Sequence, residues 1–313
     1  MTDSGASGGV TVVGSFAVGL SLRADRFPVS GETVLARDFD QGPGGKGSNQ
    51  AVQVARMGQP VELVGMIGAD AYGDIATELF SAEGVGTRGL TRTTERNTGL
   101  GFILLDETGD NRILLDPGAN ALLTAEHVAL ARDAVTDSSV VVTQLEIPEE
   151  AAIAGLRLGR AAGALTILNP APARPLPPEV FALVDVLTPN QTEARVMLGL
   201  PPDHDGDDMD VCRRLVQLGV ETVVLTRGRQ GAVIVTEQGT VEVPALSVDV
   251  VDSTGAGDAF NGTLAEAVAR GIPLEDAVRR ACGAGALACT RLGVIPSLPR
   301  AAQLDDFLDK QVT

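Results

Sequence analysis

Short apolar and β-branched runs alternate along the chain with longer segments in which apolar residues recur every three or four positions. Continuous apolar runs suit strands of a parallel sheet that helices cover on both faces. The runs that predict strands are Val10 to Val13, Val61 to Met66, Val140 to Thr143, Leu165 to Leu168, Val184 to Thr188, Thr222 to Thr226 and Leu246 to Val251. The segments that predict helices are Gly47 to Met57, Ala71 to Ala82, Pro148 to Ala161, Asp207 to Leu218, Ala256 to Arg270 and Leu274 to Thr290. The alternation predicts a doubly wound α/β core, in which helices flank a mostly parallel sheet.

Two stretches interrupt this alternation. Thr33 to Gln41 has the pattern of a strand, and Gly99 to Asp116 has the pattern of a hairpin with its turn at Glu107 to Asp110. We expect a small β-sheet lid, formed by about residues 18–41 and 98–116 and inserted in a single domain that covers residues 10–310. We also expect a flexible N-terminus at residues 1–9 and a homodimer that forms through the lid.

The composition is ordinary for a globular enzyme. Of the 313 residues, 44% are hydrophobic and 21% are charged, and the net charge at pH 7 is -17. Such an acidic chain is repelled by the phosphate backbone of nucleic acids and by anionic lipid, so we expect neither partner. No apolar run reaches the length of a membrane span, and Met1 to Gly9 lacks the basic start and apolar stretch of a signal peptide. These features predict a cytoplasmic protein.

Few residues are available for histidine or cysteine chemistry. His127 and His204 are the only histidines, and the three cysteines, Cys212, Cys282 and Cys289, form no metal-type cluster in the sequence. A histidine triad or a zinc site is therefore disfavoured, and we expect reduced structural thiols. Catalysis would have to use carboxylates, lysine or backbone dipoles.

The most informative segment runs from Asp252 to Gly262 and reads DSTGAGDAFNG. It opens a helix of small and apolar residues, so the N–H groups of Gly255 to Gly257 would lie bare at a helix start. Such a terminus binds anions through its free donors and the positive end of the helix dipole. Asp258 lies in the first turn, where it could accept a proton from an attacking hydroxyl. The alternative is a glycine-rich turn with an ordinary capping Asp.

A second glycine-rich segment, Gly42 to Ala51, reads GPGGKGSNQA. Its glycines allow close approach, and Lys46 and Asn49 would donate to the hydroxyls of a polyol from a helix start. The segment formally fits G-x-G-x-x-G, but Asp38 to Gln41 is not the apolar strand that a dinucleotide fold requires before it. It is not a P-loop, because a glycine follows the lysine. A purely structural turn is the alternative.

Three further candidate sites lie where apolar strands end. Asn190 and Glu193 begin a helix and would suit Mg²⁺ beside a triphosphate, although the same pair is an ordinary capping box. Thr226 to Gly231 could lie under the ribose and phosphates of a nucleotide, or could be a simple turn. Glu146 follows a strand at the edge where α/β proteins bind ligands, or is a solvated acid.

With these segments the chain resembles the ribokinase-like (PfkB) sugar kinases almost from end to end. The two glycine-rich segments match the family's diagnostic motifs. Further matching segments are Val12 to Ser15, Pro28 to Thr33, Gln144 to Glu146, Leu168 to Arg174, Thr188 to Glu193 and Phe307 to Lys310. The resemblance implies an α/β core with a β lid, which agrees with the apolar pattern.

The resemblance also implies roles for individual residues. The catalytic base would be Asp258, and the anion hole for the transferring phosphoryl group would be formed by Gly255, Ala256 and Gly257. The residues that contact the sugar would be Gly45, Lys46, Asn49, Glu146 and Asp252. Those that hold ATP and Mg²⁺ would be Asn190, Glu193, Thr226 and Gly228. An activating K⁺ ion would be held by a loop of Asp252, Thr254, Ala288, Arg291, Gly293 and Ser297.

One departure from the family concerns sugar recognition. Ribokinases carry an Asn and an Asp shortly after the Gly-Ser of the first strand, and both bind sugar hydroxyls. This chain has Ala17 and Gly19 at those positions. A site that loses its partners for hydroxyls loses discrimination, so the resemblance does not carry over a strict ribose specificity. Arg23 nearby could recognise a carboxylate or another substituent, or could face solvent.

The sequence therefore predicts ATP-dependent phosphorylation of a hydroxymethyl group on a small sugar or polyol, ribose or a related sugar. A nucleoside or fructose kinase of the same family is the alternative enzyme. A catalytically silent sugar or nucleotide sensor would keep the fold with a weakened sugar site. An NAD-dependent oxidoreductase is a more remote hypothesis, which binding of a nicotinamide cofactor would support.

Overall fold

A computed structural model describes residues 8–108 and 110–311. Its strands are β1 Gly9–Val13, β2 Ala17–Arg23, β3 Arg37–Gly44, β4 Val61–Gly68, β5 Gly86–Thr93, β6 Gly99–Leu105, β7 Asn111–Asp116, β8 Ser138–Thr143, β9 Leu165–Leu168, β10 Val186–Leu187, β11 Thr222–Thr226, β12 Ala232–Thr236 and β13 Gly239–Val243. Its helices are α1 Lys46–Arg56, α2 Ala71–Glu83, α3 Ala125–Leu130, α4 Arg132–Thr136, α5 Glu149–Ala161, α6 Pro178–Phe181, α7 Gln191–Met197, α8 Asp208–Gln217, α9 Ala256–Ala269, α10 Leu274–Ala288, α11 Val294–Ser297 and α12 Ala301–Gln311.

Nine strands form one large sheet in the order β13-β12-β11-β10-β9-β8-β1-β4-β5. The seven strands from β11 to β5 run parallel, and β12 and β13 add an antiparallel edge. Successive residues of a strand point to opposite faces, so Val10 and Val12 enter one apolar core and Val13 enters the other. Helices α1, α2, α9, α10 and α12 cover the first face, and α3 to α8 cover the second. The doubly wound α/β prediction is confirmed.

The strand order reverses between β1 and β8, because the chain continues from β1 towards β4 and from β8 towards β9. In parallel sheets of this kind, ligands bind outside the carboxyl ends of the strands at such a switch point. The residues that follow β1 and β8 therefore border the expected site. Close packing there depends on glycine: a Cβ on Gly47 would lie 2.5 Å from the backbone nitrogen of Ser15.

A second, four-stranded sheet has the order β3-β2-β6-β7. It lies in the segments that we expect to form a lid, and we call this sheet the lid. Its outer pairs are antiparallel, and β2 and β6 are parallel. Strand β3 extends to Gly44, beyond the expected end at Gln41, and residues 33–36 lie outside it. A Gly-Pro-Gly sequence can continue this strand because β3 is an edge, where proline needs no ladder donor.

One sequence prediction is wrong, and two others fall partly outside the described residues. Leu246 to Val251 is not a strand; Val250 and Val251 are half-exposed, and the segment pairs with no strand in the described residues. It is instead fixed by N–H groups of Val251 and Asp252, which donate to the Cys289 carbonyl at 2.8 and 3.1 Å. The expected flexible N-terminus falls largely on residues 1–7, outside the described residues, and Gly9 already belongs to β1. The expected turn at 107–110 contains Gly109, which also lies outside them.

The lid joins the core at two clamped points. Asn120 bonds both backbone groups of Phe16, accepting from its nitrogen at 3.0 Å and donating to its oxygen at 2.8 Å. Asp70 accepts from Gly73 N–H at 2.8 Å, which caps α2, and from the Thr98 N–H and hydroxyl at 2.8 and 2.7 Å, just before β6. Burial alone would raise the pKa of Asp70, but the donors of Thr98 and Gly73 hold that pKa below its ordinary value.

None of the helices described here is long and apolar enough to cross a bilayer.

We expect Asp70→Asn to lower the free energy of unfolding at pH 7 by about 1–2 kcal/mol, because the amide cannot accept all three hydrogen bonds. A carboxylate with a lowered folded pKa stabilises the fold above its unfolded pKa, and that contribution is lost as the pH falls through the folded pKa. The difference from wild type should therefore shrink below about pH 4. Urea unfolding at a series of pH values measures it. Asp276→Asn, at an exposed first-turn position of α10, is the control, and an equal loss there would contradict the assignment.

Candidate active site

Two helix starts converge on a buried carboxylate. Asp258 lies in the first turn of α9 and is 6% exposed. Asn49, in α1, donates from Nδ2 to Asp258 Oδ2 at 2.8 Å, and Gln50 donates from Nε2 to Asp258 Oδ1 at 3.0 Å. Each carboxylate oxygen therefore accepts one hydrogen bond from an amide, and a buried carboxylate requires such hydrogen bonds. Asn49 Oδ1 is also buried and has no hydrogen-bond partner among the described residues.

The start of α9 is built for an anion. Gly255 has φ +82°, and a Cβ there would lie 2.8 Å from a methyl group of Val294, so glycine is required. Neither Gly255 nor Gly257 uses its N–H in a hydrogen bond to another described residue, whereas the Ala256 N–H reaches the Ser253 carbonyl at 3.3 Å. A Cβ on Gly257 would meet open space. Two free donors therefore face outward at the positive end of the helix dipole, and the third donor is weakly engaged.

Lys46 supplies the positive charge of the site from the first residue of α1. Burial alone would lower the pKa of Lys46, but the carboxylates of Asp258 and Glu146 raise that pKa above its ordinary value. The side chain therefore stays an ammonium at neutral pH. Lys46 is thus suited to hold a hydroxyl or a phosphate oxygen beside Asp258.

Glu146 follows β8 and fixes the start of α1. One of its carboxylate oxygens accepts from the Ser15 hydroxyl at 2.6 Å and from the Lys46 N–H at 2.8 Å. The helix has no side-chain cap of its own at Gly45, whose φ is +89°. Glu146 therefore replaces the missing cap and ties β1, β8 and α1 together.

The two nucleotide segments lie side by side. Asn190 pairs with Thr226 as an isolated parallel bridge, and the Thr226 N–H donates to the Pro189 carbonyl at 2.9 Å. Asn190 and Glu193 form a complete capping box, with bonds of 2.8 and 2.9 Å. Burial raises the pKa of Glu193, against the opposing effects of the Asn190 N–H and the Lys46 ammonium. A cation bound there would stabilise the ionised form. Gly228 begins the exposed 3-10 helix that follows Thr226.

The segment after Val251 meets the carboxyl end of α10. Asp252 accepts from the Thr254 N–H and hydroxyl at 2.9 and 2.7 Å, and its other oxygen accepts from the Gly293 N–H at 3.2 Å. Ala288 is the last residue of α10, and no backbone N–H of the described chain bonds to its carbonyl. Arg291 is exposed, whereas Ser297 is buried and donates to the Val294 carbonyl at 2.8 Å. Negative ends of helices and free carbonyls suit a monovalent cation.

Metal and thiol chemistry have no other visible site. Within the described ranges, no three side chains of His, Cys, Asp and Glu form a group that could hold a metal ion. Burial raises the pKa of the Cys212 thiol to about 12 and that of Cys282 to about 11, so neither is a thiolate at neutral pH.

The lid wall at β2 lacks polar side chains near its base. Val18 is fully buried against the core, so Ala17 and Gly19 point to the opposite face. Gly19 pairs with Gly42 on one side and with Gly101 on the other. A Cβ on Gly19 would lie 3.4 Å from Ile103 Cδ1, an ordinary van der Waals distance.

Sequence reasoning did not assign any role to a set of buried amides under Asp258, namely Gln50, Gln144 and Asn169. A signal was present. Gln50 belongs to the second glycine-rich segment, and the other two residues directly follow β8 and β9. Amide side chains at strand ends next to a ligand edge are candidates for a network around the reacting groups.

Comparison with known proteins places this geometry in context. The profile of the pfkB family of carbohydrate kinases matches residues 8–301. The ribokinase of Bacillus subtilis (strain 168) is 35% identical over 299 residues, which cover 96% of this chain and 99% of that protein. The deoxyribokinase of Salmonella typhi is 32% identical, with coverages of 96% and 98%. The structure of Arabidopsis thaliana ribokinase complexed with ribose and ATP is 29% identical, has a TM-score of 0.90 and covers 96% of this chain and 98% of that chain.

Proposed function

Because the chain belongs to the pfkB family of carbohydrate kinases, we propose that it transfers the γ-phosphoryl group of ATP to a hydroxymethyl group of ribose or deoxyribose, with Asp258 as the base. The chain is an ATP-dependent sugar kinase. The observation that carries the proposed mechanism is the buried Asp258 carboxylate, held by two amides, directly after free N–H donors at the start of α9.

In this mechanism Asp258 takes the proton of the sugar hydroxyl as the oxygen attacks the γ-phosphate in line. The N–H groups of Gly255 and Gly257, assisted by that of Ala256, donate hydrogen bonds that stabilise the negative charge developing on the phosphoryl oxygens. Their donors are fixed by the helix backbone, so little reorganisation is needed during transfer. Lys46 adds a positive charge from the opposite helix start.

The nucleotide would lie over Thr226 and Gly228, with its phosphates directed to the start of α9. Asn190 and Glu193 fit Mg²⁺ through its waters, because their carboxylate and amide oxygens are the ligand type that Mg²⁺ prefers. The bound Mg²⁺ would neutralise phosphate charge. Glu193 is close enough to Lys46 and to Asp258 to interact electrostatically with both.

The sugar would lie between the floor of the site and the lid. The free acceptor of Asn49 suits a sugar hydroxyl, and Lys46 suits another as a donor. Gly45 allows close approach, because its positive φ and its contact with Ala17 exclude a side chain. Glu146 and Asp252 border the same pocket in this proposal, although both carboxylates also hold backbone donors.

Ala17 and Gly19 leave the lid side of this pocket without hydroxyl-binding groups. We therefore propose that ribose and 2-deoxyribose are distinguished weakly, because a missing hydroxyl leaves no protein group unpaired on that wall. Arg23 does not contribute to the pocket in this proposal: it donates to the Asp106 carbonyl at 3.2 Å, nearer the tip of the lid.

Two further proposals concern the ion and the assembly. The carbonyls at the end of α10 and the Asp252 carboxylate fit K⁺ as an activating ion. The lid exposes Phe102 and Leu114 on one face and Ile113 and Leu115 on the other, each at least 44% exposed. One apolar face is available to a second copy, so we propose a homodimer through the lid, which sedimentation of the purified protein would test. The acidic charge of -17 fits a cytoplasmic enzyme.

We expect Asp258→Asn to fold and to bind ATP, but to lose sugar-dependent ADP release by about 10³-fold, because the amide cannot accept the hydroxyl proton. A panel of pentoses, ketohexoses, nucleosides and polyols in a coupled ADP assay measures turnover, and calorimetry measures nucleotide binding. Asp74→Asn, at an exposed first-turn position of α2, is the matched control. Near-normal turnover of Asp258→Asn would refute the base, and sugar binding without ADP release by wild type would favour a sensor.

We expect wild type to phosphorylate ribose and 2-deoxyribose with kcat/KM values within about 10-fold of each other. Gly19→Asp should raise the preference for ribose by about 10-fold or more, since a charged hydrogen bond to a hydroxyl contributes about 1.5–3 kcal/mol. The new Cβ fits, as its nearest atoms would be at 3.4 and 3.7 Å. Ser21→Asp places the same charge two residues along the same strand face and should change nothing. An unaltered preference in Gly19→Asp would contradict the proposed lid wall.

We expect K⁺ to raise sugar-dependent turnover several-fold over choline at equal ionic strength, because the ion would balance the Asp252 carboxylate and the negative dipole end of α10. Initial rates over a K⁺ titration measure the response. Thr254→Val, which removes one hydroxyl of the loop, should weaken K⁺ activation. Equal rates in the two salts would exclude the K⁺ site.

A further inference from the structure

Buried amide side chains connect Asp258 to the carboxyl ends of three strands. Gln50 donates from Nε2 to Asp258 Oδ1 at 3.0 Å and to Asn169 Oδ1 at 3.1 Å. Gln144 donates to Gln50 Oε1 at 2.6 Å, and Asn169 donates to the Thr188 carbonyl at 3.2 Å. Gln50 and Gln144 are fully buried, and Asn169 is 5% exposed. Such a network lies in a low dielectric, where each bond is strong and each missing bond is costly.

The network fixes which end of the Gln50 amide faces Asp258. Its oxygen accepts from Gln144, so its NH₂ group must face the two acceptors on Asp258 and Asn169. The reverse orientation would place a carbonyl oxygen against the carboxylate. Gln144 follows β8 and Asn169 follows β9, so both amide partners of Gln50 come from strand ends of the sheet, and Gln144 Oε1 itself is buried without a partner among the described residues.

We infer that Gln50 is the positioning residue of Asp258 and that Gln144 holds the Gln50 amide in the donating orientation. The inference rests on the proposed role of Asp258 as base. Gln50 occupies Oδ1 and Asn49 occupies Oδ2, so the carboxylate cannot rotate without losing a bond, and its remaining lone pairs stay directed at the sugar hydroxyl.

A second branch of the network reaches the anion hole. The Thr188 hydroxyl donates to Asn261 Oδ1 at 2.6 Å, and Asn261 donates from Nδ2 to the Gly257 carbonyl at 2.8 Å. The peptide between Gly257 and Asp258 is therefore held, through Asn261, by Thr188, whose carbonyl also accepts from Asn169. The base and the phosphoryl donors thus share one buried support.

Charged neighbours must be kept constant in any test of this role. Lys46 from α1 and Glu193 from α7 both interact electrostatically with Asp258. The amides are neutral, so exchanging Gln50 for methionine leaves these charges in place. A change in kcat at an unchanged KM for ATP then reports the lost hydrogen bond.

The chain offers a matched control on the same helix. Gln53 is fully buried one turn after Gln50 and donates from Nε2 to the Thr263 hydroxyl of α9 at 3.0 Å. It therefore joins the same two helices through the same kind of bond, without contact to Asp258. Gln53→Met should destabilise the fold about as much as Gln50→Met and leave catalysis unchanged.

We expect Gln50→Met to lower kcat about 10-fold to 100-fold, with the KM for ATP changed less than about twofold. Gln144→Met should lower kcat by a smaller factor. Continuous ADP assays measure these values, and thermal unfolding reports stability.

A wild-type kcat in folded Gln50→Met would overturn the inference, and so would an equal loss of kcat in Gln53→Met. The double variant Gln50→Met with Gln144→Met removes both partners of their mutual bond, so it replaces the single variant if that does not fold. It should lower kcat as much as Gln50→Met does. Full activity of Asp258→Asn would instead refute the proposed function, so the two failures are distinguishable.

Discussion

A buried carboxylate needs a hydrogen-bond donor on each of its oxygens, and this requirement on Asp258 organises the site. Taking a charge out of water is costly unless donors replace the lost solvent. Here the donors are two adjacent amides of α1, and they reach Asp258 only if the starts of α1 and α9 face each other. The positions of α1 and α9 therefore determine the position of the reacting carboxylate.

The solution depends on close contact between strand ends and helix starts. Gly47 packs against the backbone that directly follows β1, and Glu146, which follows β8, caps α1 in place of a residue of the helix itself. The switch point of the sheet brings these two strand ends together. Side chains after β8, β9 and β10 then support Asp258 from below, so the core supplies both the pocket and its rigidity.

The sequence predicted the parts of the fold that follow from local pattern. The apolar runs of the parallel sheet and the helical segments agree with the structure because these strands are buried on both faces. Strand β5 was missed because it is a polar edge strand with Arg88 and Arg92. Leu246 to Val251 was wrongly predicted as a strand: Val250 and Val251 are half-exposed, and the segment is fixed by backbone hydrogen bonds to the Cys289 carbonyl. In the site, the glycine-rich helix starts and Asp258 could be predicted from the sequence, because helix starts have a local signature. The hydrogen bond between Gln50 and Gln144 could not be predicted, because it joins positions 94 residues apart.

The two clamps at the base of the lid have a mechanical consequence. Asn120 grips both backbone groups of Phe16, and Asp70 grips Thr98, so both strands that enter the lid are pinned where they leave the core. Because both strands are held just before their first residues, the lid can be displaced mainly at its far end, which is the region of β2 and β6 beyond Gly19 and Gly101. Any such movement would require bending of these two strands, because the hydrogen bonds at the base hold the residues just before them to the core.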